Sequence, residues 1–178
     1  MLVVDRVGNN ASLIGHMGVF PSVDSTAFVA ENARLIGQVT VGRNASIWFC
    51  STLRGDVGKI IVGEGANIQD NTVVHVDREY GDTTIGKFVT IGHGCILHAC
   101  SLMDMAFVGM GSVVMDRALM EERSMLAAGS LLTRGKVVKS GELWGGRPAK
   151  YVRMLSDEEM QYLQTSADGY ITLSRSYL

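Results

Sequence analysis

Proline, cysteine and long apolar runs are all scarce in this sequence. Its 178 residues include 2 prolines and 3 cysteines. So little proline excludes proline-rich linkers, and an odd number of cysteines without framework spacing favours free thiols in a reducing compartment. No run of about 18 apolar residues is present, so no membrane span is expected. The first twenty residues show neither a secretory signal nor an obvious transit peptide.

The sequence also lacks an excess of positive charge. The net charge is −2, which argues against strongly electrostatic binding to nucleic acid. Hydrophobic residues make up 47% of the chain and glycine contributes 21 residues. This composition predicts one domain with an ample core and a chain that turns often.

An aliphatic residue recurs every six positions through most of the chain, usually with a small residue four places later. The leading residues are Val29, Leu35, Val41, Ile47, Leu53, Val62, Ile68, Val74, Ile85, Ile91, Leu97, Leu102, Val108, Val114, Met120, Leu126 and Leu132. This pattern predicts an all-β solenoid of hexapeptide repeats, with three flat faces in each coil of roughly eighteen residues. The interruptions at 54–59 and 77–82 are expected to project from an edge.

The repeat fades after Leu132, where 144–150 is expected to form an irregular turn. Ser156 and Glu159 make a capping-box pattern, and apolar residues then recur at helical spacing. We therefore predict an amphipathic helix from 157 to about 172 that packs along the solenoid. At the other end, Val3, Val4, Val7, Ala11 and Ile14 permit a short helix. The predicted divisions are an N-terminal extension (1–20), a β-helix domain (21–150) and a C-terminal helix and tail (151–178).

Three of the four histidines, His75, His93 and His98, occupy outward places of the repeat. Three neutral imidazoles with an open fourth position are the ligand set of a catalytic zinc. A flat wall has no water-excluded pocket, so such a site needs a second surface, naturally a second copy of the chain. His93 and His98 lie on consecutive faces and should diverge, which disfavours a site within one chain. Surface histidines without metal are the alternative.

The remaining candidates for ligands favour structural roles. Cys95 falls at an inward small place of the repeat, and Cys100 is also interpreted as structural. His16 lies outside the repeat and is assigned no function.

Several motifs together resemble the γ-class carbonic anhydrases, over residues 20–165. They are Arg54-Gly-Asp56, Asn67-Ile-Gln69-Asp70, His75 and Ile91-Gly-His93-Gly-Cys-Ile-Leu-His98. The resemblance implies a left-handed parallel β-helix that trimerises. It also implies zinc, or iron or cobalt in the same site, carrying the hydroxide that converts carbon dioxide to bicarbonate.

The resemblance further implies a role for each site residue. His75 and His98 would bind the metal from one chain and His93 from its neighbour. Gln69 would orient the hydroxide and Asn67 would position substrate. The remaining roles concern the interface, where Arg54 and Asp70 would form an ion pair between subunits and Asp56 would add a polar partner.

A narrower similarity is to the mitochondrial γ-carbonic-anhydrase subunits of respiratory complex I. Asp5-Arg-Val-Gly, Val-Gly-Met-Gly, Ala-Ala-Gly-Ser-Leu, Glu142-Leu-Trp-Gly-Gly-Arg-Pro-Ala-Lys and Tyr170-Ile carry it. It implies a homo- or heterotrimer on the matrix side of the inner membrane. Such a trimer would be peripheral to the bilayer and docked on membrane-arm subunits.

The chain departs from the archaeal enzymes at two points that bear on proton export. Val57 stands where they carry a glutamate, and the short loop 77–82 offers Glu79 alone as a proton shuttle. Two functions follow, a working carbonic anhydrase or a structural complex I subunit that keeps a metal or bicarbonate site. A hexapeptide acyltransferase is a third, which three histidines and Gln69 fit poorly.

Overall fold

The computed structural model describes residues 12–177, which form a β-solenoid of about seven turns and one C-terminal helix. In chain order the elements are β1 (Ser12–Ile14), β2 (Ser22–Val23), β3 (Phe28–Val29), β4 (Arg34–Val41), β5 (Ser46–Ile47), β6 (Thr52–Val62), β7 (Asn67–Ile68), β8 (Val73–His75), β9 (Thr83–Ile85), β10 (Thr90–Ile91), β11 (Ile96–His98), β12 (Ser101–Leu102), β13 (Phe107–Val108), β14 (Val113–Val114), β15 (Leu119–Met120), β16 (Met125–Leu126), β17 (Leu131–Leu132), β18 (Val137–Val138), β19 (Glu142–Gly146), β20 (Ala149–Met154) and α1 (Asp157–Arg175).

The strands stack in parallel into three faces. The first face contains β3, β5, β7, β10, β13, β16 and β19. The second contains β8, β11, β14 and β17, and the third contains β9, β12, β15 and β18, while β4 and β6 cross both. This architecture confirms the predicted left-handed β-helix of hexapeptide repeats with a C-terminal helix.

The core is a set of inward ladders formed by the leading aliphatic residues. Ile91, Val108 and Leu126 lie opposite one another on successive coils and are fully buried. Small residues such as Cys95 and Ser112 fill the corners between faces, where larger side chains would not fit. Because side chains alternate along each strand, the neighbours of the leading residues point outward. The ladders therefore fix which side chains face solvent.

The interruption at 54–59 lies within a strand and inserts extra residues there. β6 runs from Thr52 to Val62, but Gly55 pairs with Gly37 and Ile60 with Val39, so β6 has three more residues than β4 at this corner. Gly55 permits this course, since a Cβ there would lie 2.7 Å from the carbonyl oxygen of Gln38 on the preceding coil. The other interruption is a loop as expected, closed by two backbone hydrogen bonds between Asp77 and Gly81.

The two ends of the solenoid also differ from expectation. Residues 144–150 are not an irregular turn but part of an antiparallel hairpin, because β19 continues the first face below β16 and then pairs with β20. At the start, Val3, Val4, Val7 and Ala11 lie outside the described residues. A helix is wrong for Ser12–Ile14, which pairs in parallel with β4. The division at residues 20 and 150 stays a prediction.

The predicted helix is confirmed as α1, which ends three residues beyond the expected point. Ser156 and Glu159 complete the capping box, and Leu163 and Ala167 are buried against the first face. Tyr170 packs edge-on against Trp48, with ring centroids 5.5 Å apart. Across residues 12–177 we find no helical segment with the length and hydrophobicity needed to cross a bilayer.

Candidate metal centre

His75 and His98 lie side by side at the end of the second face. β8 and β11 pair in parallel with His98 opposite His75, and Nδ1 of His75 is 3.1 Å from Nε2 of His98. The loop at 77–82 lengthens the coil between them, which is why counting by eighteen does not find this pair.

Each imidazole binds a carboxylate through its other nitrogen. His75 Nε2 is 3.0 Å from Oδ1 of Asp56, and His98 Nδ1 is 2.5 Å from Oδ1 of Asp116. An ionised carboxylate only accepts hydrogen bonds, so these ring nitrogens are the donors. The two facing nitrogens therefore carry lone pairs when the rings are neutral.

Facing lone pairs repel unless a proton or a cation lies between them. Their separation of 3.1 Å is close to the roughly 3.3 Å expected for two nitrogens on one tetrahedral zinc ion. A carboxylate on the distal nitrogen is also the usual support of a metal-binding histidine, because it fixes the tautomer and ring orientation. The donor set therefore fits a divalent transition metal.

Asp56 links the pair to Arg54. Burial raises the pKa of Asp56, but hydrogen bonds from Arg54 and His75 outweigh this effect and hold the pKa at about 2. The guanidinium Nη1 of Arg54 is 2.5 Å from Oδ2 of Asp56. Asp56 is thus an anion at neutral pH, suited to hold His75 in the tautomer described.

Two acidic residues that sequence reasoning missed lie on the same edge. Donor atoms of Asp77, His98 and Asp116 all lie within 4.8 Å of one another. Asp116 follows His98 by 18 residues, one coil of the repeat, so that spacing could have revealed it. Asp77 gives no such signal because it begins a loop outside the repeat.

His93 does not join the pair within one chain. It lies beyond the end of β10, is exposed, and its Nδ1 is 2.8 Å from Oδ2 of Asp70. It lines a cleft of about 300 Å³ between α1 and the first face, together with Gln69 and Tyr170. The predicted divergence of His93 and His98 thus corresponds to two separate locations in the structure.

Asn67 and Gln69 are buried on the first face beside that cleft. Nε2 of Gln69 donates to Oδ1 of Asn67 at 3.1 Å, and Nδ2 of Asn67 donates to Oγ1 of Thr90 at 2.9 Å. The sequence-predicted residues therefore form two groups. Arg54, Asp56, His75 and His98 lie on one side of the coil, and Asn67, Gln69, Asp70 and His93 on another.

The cysteines near the site are part of the core. Cys95 and Cys100 are buried, and burial raises the pKa of both thiols, that of Cys100 to about 12. Neither is suited to bind metal as a thiolate, in agreement with their structural interpretation. His16 is exposed and forms a backbone bridge with Val19.

The fold and these side chains define a hexapeptide-repeat β-solenoid protein with a candidate histidine–carboxylate metal site. The chain is 43% identical to "Gamma carbonic anhydrase 2, mitochondrial" of Arabidopsis thaliana, an alignment covering 97% of this chain and 64% of the relative. It is 41% identical to "Gamma carbonic anhydrase 3, mitochondrial" of the same plant, over 97% of this chain and 69% of the relative. The chain belongs to the gamma carbonic anhydrase family.

A solved structure is more similar still. The hexapeptide transferase family protein from Anaplasma phagocytophilum is 72% identical and superposes with a TM-score of 0.91, over 93% of this chain and 98% of that one. No protein-family model matches the chain. The chain thus spans 64% of the length of the first plant relative, less than two thirds, but 98% of the bacterial structure.

Proposed function

We propose that this chain is a carbonic anhydrase subunit whose metal centre is shared between neighbouring copies in a trimer. The observation that carries the proposal is the facing pair of imidazole nitrogens, each ring held by its own carboxylate. His75 and His98 bind the metal from one copy. His93 supplies the third imidazole from the next copy, because it lies on another side of the coil.

An apolar stripe beside the pair supports contact with a second copy. Val73, Ile96, Val113 and Leu131 lie opposite one another along the second face. Val73 and Ile96 are 43% and 47% exposed. A row of aliphatic side chains on successive coils is typical of a surface that another protein covers. Closing this face against a neighbour would also remove water from the adjacent histidines.

The metal, when bound, supplies the Lewis acid that makes a water molecule nucleophilic near neutral pH. Zinc is the proposed metal, and iron or cobalt also suit imidazole ligands. The chain supplies the orientation. Asn67 fixes the Gln69 amide by a hydrogen bond, and Gln69 shares a cleft with His93. We assign Gln69 the orientation of the attacking water and Asn67 the support of that amide.

The same cleft suits the substrate. Its walls include Phe107, Met110 and Tyr162, which offer apolar surface to a small uncharged molecule such as carbon dioxide. Arg54 and Asp70 each bind a site residue within one chain, Asp56 and His93 respectively. We propose that they also face each other across the interface. Glu79 is exposed in loop 77–82 and is the proposed route for proton export.

The second candidate is a structural role in mitochondrial complex I, with the site kept for assembly. The mitochondrial names of the plant relatives favour the location that this role requires. In that role the trimer, homomeric or mixed with related chains, would lie on the matrix side of the inner membrane and dock on membrane-arm subunits. The 72% identical bacterial protein argues against confining the chain to that location. Its transferase name motivates an acetyl-CoA turnover assay as the test of the acyltransferase alternative.

The proposal is tested by measuring bound metal and stopped-flow carbon dioxide hydration on the same purified sample. His98→Ala should remove one ligand and most of the metal while the coils stay folded, because its side chain points outward. His16→Ala is the matched control and should keep both metal and activity. Unchanged metal in His98→Ala would refute the site. Stoichiometric metal without hydration would favour the structural role.

A further inference from the structure

The loop at 77–82 is attached to later coils through its aromatic residue. The guanidinium carbon of Arg134 lies 3.8 Å from the centroid of the Tyr80 ring, and that of Arg117 lies 4.6 Å from it. Arg117 follows β14 and Arg134 follows β17, whereas the loop leaves the solenoid after β8. The loop therefore extends along the edge of the solenoid, past the coil that carries His98.

Such contacts are favourable because the ring face is electronegative, and they strengthen when water is excluded. Tyr80 is partly buried, although Arg78 and Glu79 beside it are exposed. Within residues 12–177 neither Arg117 nor Arg134 forms an ion pair, so no described carboxylate competes for them. The contact of the Tyr80 ring with Arg117 and Arg134 attaches the loop to the later coils.

Tyr80 also fixes the carboxylate of Asp77. Oδ1 of Asp77 accepts hydrogen bonds from the backbone N–H groups of Glu79 at 2.8 Å and Tyr80 at 3.0 Å. Backbone hydrogen bonds between Asp77 and Gly81 close the base of the loop. The backbone N–H of Tyr80 is thus one of the two donors that hold the Asp77 carboxylate.

Asp77 in turn lies beside His98, since its donor atom is within 4.8 Å of those of His98 and Asp116. We propose that Tyr80, held by Arg117 and Arg134, is a positioning residue that fixes Asp77 as an anionic member of the metal centre. This inference rests on the proposed metal site. Asp77 increases the affinity of the imidazole pair for a divalent cation by adding a negative charge. The contacts of the Tyr80 ring with Arg117 and Arg134, here called the clamp, keep that charge in place.

The test uses full-length protein in its assembled state and measures zinc affinity by competition with a chromophoric chelator. Tyr80→Ala and Asp77→Asn should each weaken zinc binding by roughly tenfold, the lower end of what supporting residues of metal sites cost. Tyr80→Phe keeps the ring and should restore the wild-type affinity. Tyr151→Ala, at an exposed tyrosine of β20, is the matched control.

Two further measurements separate positioning from a purely structural role. The absorption spectrum of bound Co²⁺ should change in Tyr80→Ala and stay unchanged in Tyr80→Phe. The double variant Tyr80→Ala/Asp77→Asn should bind zinc no more weakly than either single variant, because the two residues act through one carboxylate. Should Tyr80→Ala fail to fold by circular dichroism, Arg134→Met replaces it with the same expected loss.

The outcomes distinguish this inference from the proposed function. If Tyr80→Ala or Arg134→Met binds zinc like the wild type while His98→Ala does not, the clamp has no role at the metal and the metal site stands. Fully additive losses in the double variant would also overturn the inference. If the wild-type protein itself binds no zinc, the proposed function fails.

Discussion

The proposed metal site depends on the orientation of two imidazole rings. Asp56 and Asp116 occupy the distal nitrogens of His75 and His98, so the near nitrogens face each other with lone pairs available. Without either carboxylate, a ring could rotate or change tautomer and present an N–H group to the metal. The two aspartates are thus as much part of the site as the histidines.

Removing Asp116 tests this point. Asp116→Ala should weaken zinc binding by about 10- to 100-fold, because His98 loses the partner that fixes its tautomer. Isothermal titration calorimetry or competition with a chelator measures the zinc affinity. Glu122→Ala, an exposed acid one face further along the chain, controls for loss of charge alone and should bind zinc normally. An unaltered affinity in Asp116→Ala would show that His98 needs no such support.

At the residue scale, the repeat predicts whether a side chain points inward or outward, but it predicts less well which outward side chains lie next to each other. Inward aliphatic places are unambiguous, so the outward direction of His75, His93 and His98 follows from the sequence. Which of them meet depends on coil length, and the loop at 77–82 changes that length without a periodic signal. The His75–His98 pair therefore could not be derived by counting, and Asp77 could not be found at all.

At the scale of elements, α1 covers the first face and forms one wall of the cleft that contains His93. The carboxylate of Glu159 holds the N-terminus of this helix through two partners, Ser156 and Arg153. Glu159 accepts from the backbone N–H of Ser156 at 2.9 Å and from the Arg153 guanidinium at 2.7 and 2.8 Å. The helix is thereby joined to β20, which carries Arg153.

This contact predicts a pH dependence of stability. The hydrogen bonds from Arg153 and from the Ser156 backbone lower the pKa of Glu159 from 4.5 to about 2. Because the folded-state pKa is depressed, the contribution is complete above about pH 4.5 and is lost as pH falls through about 2. Thermal melting should show that Glu159→Gln lowers stability at pH 7 and flattens its decline in that window. Glu122→Gln should leave the profile unchanged, and a parallel profile for Glu159→Gln would contradict the assignment.

Elements with their own local signals were predictable, and those set by neighbouring coils were not. Ser156 and Glu159 define the start of α1 without tertiary information. The extended course of β6 depends on close packing of Gly55 against the preceding coil, and β20 forms because β19 offers an edge. Neither fact is visible in a linear repeat, so the extended course of 54–59 was not predicted and 144–150 were assigned wrongly.

At the scale of the whole molecule, the three-sided cross-section of the solenoid places the predicted ligands on different sides of a coil and so separates them. Side chains on different sides of a coil cannot converge within one copy. In the proposed trimer, a copy placed against the second face brings its own His93 to the pair. The apolar stripe through Val73 and Ile96 borders the pair on that face. The diverging outward histidines favoured a shared site, and the resemblance assigned His93 to the neighbouring copy. The separation of His93 from the pair supports that assignment.

The most direct test of a shared site is complementation between two defective chains. His93→Ala and His98→Ala alone should each assemble with little bound metal and without hydration activity. When the two variants are unfolded together and reassembled, a mixed trimer contains one interface with intact His75 and His98 facing an intact His93. We predict that the mixture regains zinc and carbon dioxide hydration. Mixed trimers that form but regain neither would contradict a metal centre shared between copies.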